Sequence, residues 1–193
     1  EKAKKDGVNQ FIFVSSMSVY GLEQGVIHRN STENPQSHYG RSKLQAEELL
    51  GTLEDAAFKI AILRPPMIYG KGCKGNYPRL AKIAGRMPVF PKVKNQRSMI
   101  YIDNLCEFIR LLIDDGGRGL FFPQNKEYVC TADMVKLIAE SHGNRIRMTR
   151  LFNPLVMLFM PFSTTLKKVF GDLVYDKDLS EFCHTEQYDI VGF

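Results

Sequence analysis

The chain holds 193 residues, 44% of them hydrophobic, enough to bury a core and suited to one domain or to parts of two. Its formal charge of +5 and pI near 9.0 fit a phosphate-bearing small ligand as well as a weak nucleic-acid contact, but no basic run interleaved with aromatics marks a nucleic-acid surface. Four widely spaced cysteines (Cys73, Cys106, Cys130, Cys183) without metal-ligand spacing read as reduced thiols of a cytoplasmic protein, so no metal site is expected; no signal peptide or membrane-spanning stretch appears.

In chain order, Glu1 to Gly7 reads as the last turns of a helix, stopped by Gly7. Gln10 to Ser15 is a short β-branched and aromatic run, predicted as a strand buried on both faces of a parallel sheet. Such a strand needs neighbours on both sides and none precedes it, so the chain is expected to be a piece of a longer protein. Ser15-Ser16-Met17-Ser18-Val19-Tyr20-Gly21 follows, with small hydroxyl residues at a strand's carboxyl end, where open α/β sheets bind ligands. Residues 21–36 read as loop.

The stretch from Ser37 to Leu50 is predicted as a helix that carries Tyr39 and Lys43 one turn apart on one face. A phenol beside an ammonium is one way to make a base near neutral pH, because a nearby cation favours the phenolate. Phe58 to Arg64 is the next buried strand, leading into Arg64-Pro65-Pro66-Met67-Ile68-Tyr69-Gly70. Residues 71–99 leave the sheet pattern: a loop, a helical pattern from Pro78 to Met87, and an extended Pro88 to Pro91. Arg97 to Leu105 then leads into an apolar helix from Leu105 to Asp114, with Asn104 as its expected cap. A short strand at 119–122 and a helix capped by Thr131 and running to about Ser141 complete the clear pattern. The apolar run from Leu151 to Phe162, flanked by Arg145, Arg147, Arg150, Lys167 and Lys168, is too short to cross a bilayer. Two readings stay open for it: packing inside a substrate lobe, with no membrane partner, or lying on a membrane surface, as would suit polysaccharide assembly on lipid carriers.

Ser16 followed by Tyr39-x-x-x-Lys43 resembles the Ser–Tyr–Lys set of the short-chain dehydrogenase/reductase superfamily. The Val-Ser-Ser-x-x-Val-Tyr-Gly stretch, the Tyr-Gly-x-Ser-Lys-x-x-x-Glu helix, the Arg-Pro-x-x-x-Tyr-Gly turn and the Arg97–Leu105 segment resemble, in order, the landmarks of its extended class, and within it the nucleotide-sugar epimerases and dehydratases. The resemblance is clear from Phe11 to about residue 140. It implies an α/β fold, the C-terminal part of a Rossmann-type doubly wound parallel sheet with a small α/β substrate lobe. Residues 1–70 and 98–125 would form the rest of an NAD-binding domain, and residues 71–97 and 126–193 the lobe.

It further implies an NAD-dependent epimerase acting at C4 of a UDP-sugar or related nucleotide sugar through a 4-keto intermediate. Ser16, Tyr39 and Lys43 would be catalytic; Ser15, Ser16, Tyr39, Lys43 and Pro66 would line the cofactor; Asn76 and Arg97 would bind the diphosphate of the sugar nucleotide, and Phe90 would pack against its uracil. A homodimer is implied through the Tyr39 helix, where Leu44, Leu49, Leu50 and Leu53 offer apolar surface. The departures are informative. The Gly-x-x-Gly-x-x-Gly turn for the dinucleotide pyrophosphate and its acidic follower are absent. Met17 and Ser18 stand where dehydratases keep an acid pair, which argues against dehydration. Met67 stands where relatives place a substrate-binding Asn. Two other activities stay open: a 4-keto-sugar nucleotide reductase using the same three residues with exchangeable NAD(P), and a non-catalytic nucleotide sensor on the same fold.

Overall fold

The computed structural model describes residues 1–73, 76–179 and 188–189. A short helix α1 (Lys2–Lys5) leads into β1 (Gln10–Val14), a 3-10 turn over Met17–Tyr20 and β2 (Gly25–Ile27). Then follow α2 (His38–Gly51), β3 (Lys59–Leu63), β4 (Met67–Tyr69), α3 (Asn76–Arg86), β5 (Val89–Pro91), β6 (Met99–Tyr101), α4 (Ile102–Asp114) and β7 (Gly119–Phe121). The chain continues with α5 (Thr131–Ser141), β8 (Arg147–Thr149), α6 (Asn153–Phe159), a 3-10 turn over Met160–Phe162, α7 (Thr164–Phe170), β9 (Leu173–Tyr175) and a last 3-10 turn over Lys177–Leu179.

All the strand pairs named here are parallel. β3 lies between β1 and β7, with Phe11 opposite Ile60 and Leu63 opposite Phe121. β3 is the strand the prediction describes: Ile60, Ala61 and Leu63 are buried. β1 departs from it. Its residues are only half-covered, and its outer edge has no strand partner among the described residues.

The pair β4–β6 is a wall between two cores. Because side chains alternate across a strand, Met67, Tyr69 and Met99 pack with Leu80, Phe90, Val135 and Phe170 on one side, while Ile68 and Ile100 pack with Leu63, Leu105 and Phe108 on the other. A third cluster, Val19, Tyr20, Ile27, Phe122, Leu173 and Tyr175, joins the early chain to the late chain through the β2–β9 pair.

Three boundaries correct the sequence reading. The expected loop at 21–36 contains β2, which pairs with β9. Three residues whose partner lies far along the chain leave no local pattern to read. Asn104 does not cap α4, which begins at Ile102. It lies inside the helix, fully buried, and donates to Asn125 Oδ1 at 3.1 Å and Asp189 Oδ1 at 2.7 Å. Thr131 is the first residue of α5 rather than its cap. Asn95 takes the capping role from outside the helix, accepting from the Thr131 amide at 2.9 Å and donating to Thr131 Oγ1 at 3.0 Å.

Candidate active site

Ser37 starts α2 by accepting the Gly40 amide on its hydroxyl at 3.0 Å. One turn on, Lys43 reaches back to the sheet: Nζ donates to Val14 O at 2.8 Å, lies 4.8 Å from the Phe13 ring centre and 5.7 Å from that of Tyr39. The ammonium thus stands at the carboxyl end of β1, with two protons left for a ligand. Tyr39 is 56% exposed. Ser16 has extended backbone and caps the 3-10 turn, its Oγ accepting the Ser18 amide at 3.2 Å. The Met17 amide donates to Pro65 O at 3.0 Å, which brings the serine stretch against the buried Pro65-Pro66 turn. Ser15 is 3% exposed and its Oγ has no hydrogen-bond partner. Ser15, Ser16, Lys43 and Tyr39 therefore gather at one strand end, with Pro66 at the neighbouring one.

Gly40 explains how α2 comes so close. A Cβ there would sit 2.6 Å from Ser18 O and 3.0 Å from the Pro35 ring, so any side chain would push the helix away from the serine turn. Below it, Arg64 forms a buried hub. Its Nη2 donates to Glu47 Oε2 at 2.6 Å, its Nε contacts both Glu47 oxygens at 3.2 Å, and its Nη1 donates to Glu33 Oε1 and to Tyr20 Oη at 2.7 Å each. Tyr175, fully buried, donates its hydroxyl to Arg64 O at 2.7 Å. Burial alone would lower the Arg64 pKa, but the bonds to Glu47 and Glu33 outweigh it and hold the guanidinium charged. Burial likewise pushes the Tyr20 phenol up, so it serves as a neutral acceptor. Tyr20, Glu47 and Arg64 come from three separate stretches set apart in the sequence. Here they are one fastening, which holds α2 to β3. The sequence reading assigned them no role, since nothing in their spacing reveals that they meet.

Arg97 lies across the β4–β6 wall. Its only side-chain hydrogen bond among the described residues is from Nη1 to Gly171 O at 2.9 Å, and no carboxylate pairs with it. Burial lowers its pKa, against the pull of Glu23 and Asp172. It lines a cavity of about 260 Å³ together with Met67, Thr131, Thr164, Thr165 and Lys168. A half-buried cation with no carboxylate bonded to it among the described residues, beside hydroxyls and a second cation, is chemistry for an anion. Met67, in the place of an expected Asn, gives this cavity an apolar wall. Phe90 is 3% exposed and packs in the core, its ring tilted against that of Phe170 with centroids 5.5 Å apart. Asn76 opens α3, but its side chain lies outside the described residues.

Residues 1–122 match the family described as the NAD dependent epimerase/dehydratase family. The chain belongs to that family. Over 96% of its length it is 34% identical to the N-acetyl-alpha-D-glucosaminyl-diphospho-ditrans,octacis-undecaprenol 4-epimerase of Escherichia coli O157:H7, covering 59% of that protein. Over 72% of its length it is 32% identical to the UDP-glucose 4-epimerase of Vibrio cholerae, covering 45% of that protein. The chain thus spans about half the length of the curated relatives it matches. Among solved structures it superposes on the UDP-glucuronic acid 4-epimerase of Bacillus cereus, in complex with NAD, with a TM-score of 0.71 at 18% identity, covering 98% of this chain and 59% of that one. This agrees with a Rossmann-type α/β fold.

The residues at the end of β1 fit part of the family's dinucleotide. An orphaned buried hydroxyl (Ser15) and an ammonium with protons to spare (Lys43) match the polar groups of a ribose or a carboxamide. Among the described residues the pyrophosphate has no such match. Gly70, Gly72 and Gly75 do spell a Gly-x-Gly-x-x-Gly run after β4. Gly70, however, is accounted for by its positive φ of +132° and by Ile102 and Tyr101, 2.7 and 3.0 Å from where a Cβ would sit, and Gly75 lies outside the described residues.

Proposed function

We propose that this chain carries the catalytic and sugar-binding half of an NAD-dependent epimerase acting at C4 of a diphosphate-linked sugar, with a nucleotide as the leading carrier. The observation that carries the reading is Lys43, pinned by Val14 at the carboxyl end of β1 and set 5.7 Å from the Tyr39 ring beside two serine hydroxyls. NAD, when bound, supplies the acceptor and then the donor for the hydrogen at C4, so that the sugar passes through a 4-ketone. Tyr39 takes the proton of the 4-hydroxyl and later returns it. Lys43 sets its ammonium beside the Tyr39 ring and holds a ribose hydroxyl with its spare protons. Ser16 hydrogen-bonds the reacting oxygen. Arg97 grips the diphosphate, so binding energy far from C4 positions the sugar while its ring turns over.

A second carrier has support of its own. The Escherichia coli relative, aligned along nearly the whole chain, is named for a sugar carried on undecaprenol through a diphosphate. The diphosphate is common to both carriers, and Arg97 would hold it in either case. We further propose a homodimer formed through the exposed face of α2. The catalytic reading is tested by Tyr39→Phe in a protein that carries the dinucleotide turn ahead of Glu1. Turnover should fall by about a hundred- to ten-thousand-fold while UDP affinity is unchanged. Near-normal turnover would remove Tyr39 from the chemistry.

A further inference from the structure

The segment after β8 folds in a way that hides little of itself. α6 and the 3-10 turn behind it send Val156 and Met160, one helical turn apart, into the lobe core, and Asn153 ties the start of α6 to Lys92 O at 2.8 Å. Leu151, Leu155, Leu158, Phe159 and Phe162 recur at the same helical spacing on the outside, with Leu151 79%, Leu158 64% and Phe162 87% exposed. The segment thus packs into the core through Val156 and Met160 and leaves the rest of its apolar surface exposed. A contiguous apolar face of this kind marks a contact surface.

Charge identifies what it contacts. From Ser141 to Gly171 there is no acidic residue, and the segment carries Arg145, Arg147, Arg150, Lys167 and Lys168. Those are five of the chain's 26 basic residues, leaving 21 against 21 acidic residues elsewhere. The segment that holds the apolar face therefore carries an excess equal to the whole net charge of +5. Arg145, Arg147 and Arg150 are exposed and make no ion pair among the described residues; Lys168 meets Glu23 at 3.4 Å. A symmetric contact with a second copy would set these cations against their own images. An apolar face in an acid-free segment, with three exposed arginines ahead of it that make no ion pair among the described residues, matches the acyl boundary and anionic headgroups of a bilayer.

We propose that α6 and its following turn rest on an anionic membrane surface as an interfacial anchor, spanning nothing. α7, which follows directly, supplies Thr164, Thr165 and Lys168 to the Arg97 cavity, so docking would set that cavity beside the bilayer. For the substrate it would meet, a sugar diphosphate carried on a lipid, the proposal rests on the second reading above; the docking itself rests on the apolar face and the cations of its segment.

The test is flotation of the full chain with vesicles of phosphatidylcholine alone and of phosphatidylcholine mixed with phosphatidylglycerol, with light scattering alongside. Binding should appear on the mixed vesicles and weaken with salt. Leu158→Glu with Phe162→Glu, both at exposed positions, should reduce it by roughly tenfold or more with an unchanged circular dichroism spectrum. No binding to anionic vesicles, or binding that the double variant retains, would overturn the proposal. So would a self-associated wild type that the double variant turns into a monomer, which would make the face a protein contact. Since no arm measures turnover, failure here is distinguishable from failure of the epimerase reading.

Discussion

Arg64 is buried and Arg97 half-buried, and their surroundings separate anchor from ligand site. Arg64 is saturated by Glu47, Glu33 and Tyr20, whereas Arg97 has one backbone acceptor and a cavity. If Arg97 grips a diphosphate, Arg97→Ala should weaken UDP binding by about 2–5 kcal/mol, and Arg97→Lys should recover only part, because a point charge cannot replace a bidentate fork. Calorimetry with UDP decides it, and equal affinities for wild type and Arg97→Ala would make the residue structural. The sequence pointed to Arg97 through its motif. It could not show that Phe90, from the same excursion, turns inward, because an aromatic in a short extended run looks alike in a core and in a ligand wall.

At the scale of elements, α2 matters by its closeness to the serine turn. In an isolated helix Gly40→Ala would gain about 1 kcal/mol from propensity. Here the added methyl meets Ser18 O, so the variant should instead lose about 1–3 kcal/mol and shift Tyr39. Thermal unfolding together with turnover measures both; a stabilised, fully active variant would show that the contact yields. The fastening below has a pH signature. Burial pushes the Glu33 carboxyl up, but the Arg64 hydrogen bond prevails and holds it below its usual 4.5. A carboxyl depressed on folding contributes stability that is complete above the ordinary value and is lost as pH falls through the folded one. Glu33→Gln should therefore flatten the loss of stability below about pH 4.5 relative to wild type, in denaturant titrations across that range. An unchanged acid limb would mean that Arg64 draws on Glu47 alone. The helix from Ser37 and the strand β3 were legible because cap, periodicity and apolar runs are local. The Tyr20–Glu47–Arg64 meeting and the β2–β9 pair were not, because each joins residues that only the folded chain brings together.

For the whole molecule, α2 buries little beyond Gly40 and Glu47, and Leu49 stands 69% exposed on it. If α2 forms the dimer contact, Leu49→Glu should convert a dimer into a monomer in light scattering. A wild type that is monomeric at every concentration would refute the dimer. The sequence conveyed the charge total and the acid-free stretch that carries it, but not that the apolar residues of that stretch lie exposed. β1 has its own consequence. Gln10 to Val14 carries Phe, Ile, Phe and Val, and its outer edge has no strand partner among the described residues. A bare edge of that composition recruits other strands as readily as a correct neighbour. Solubility in the cell is therefore where this edge would be felt first. A chain whose β1 stays uncovered would lean on chaperones and collect in inclusion bodies, however well its catalytic corner is made.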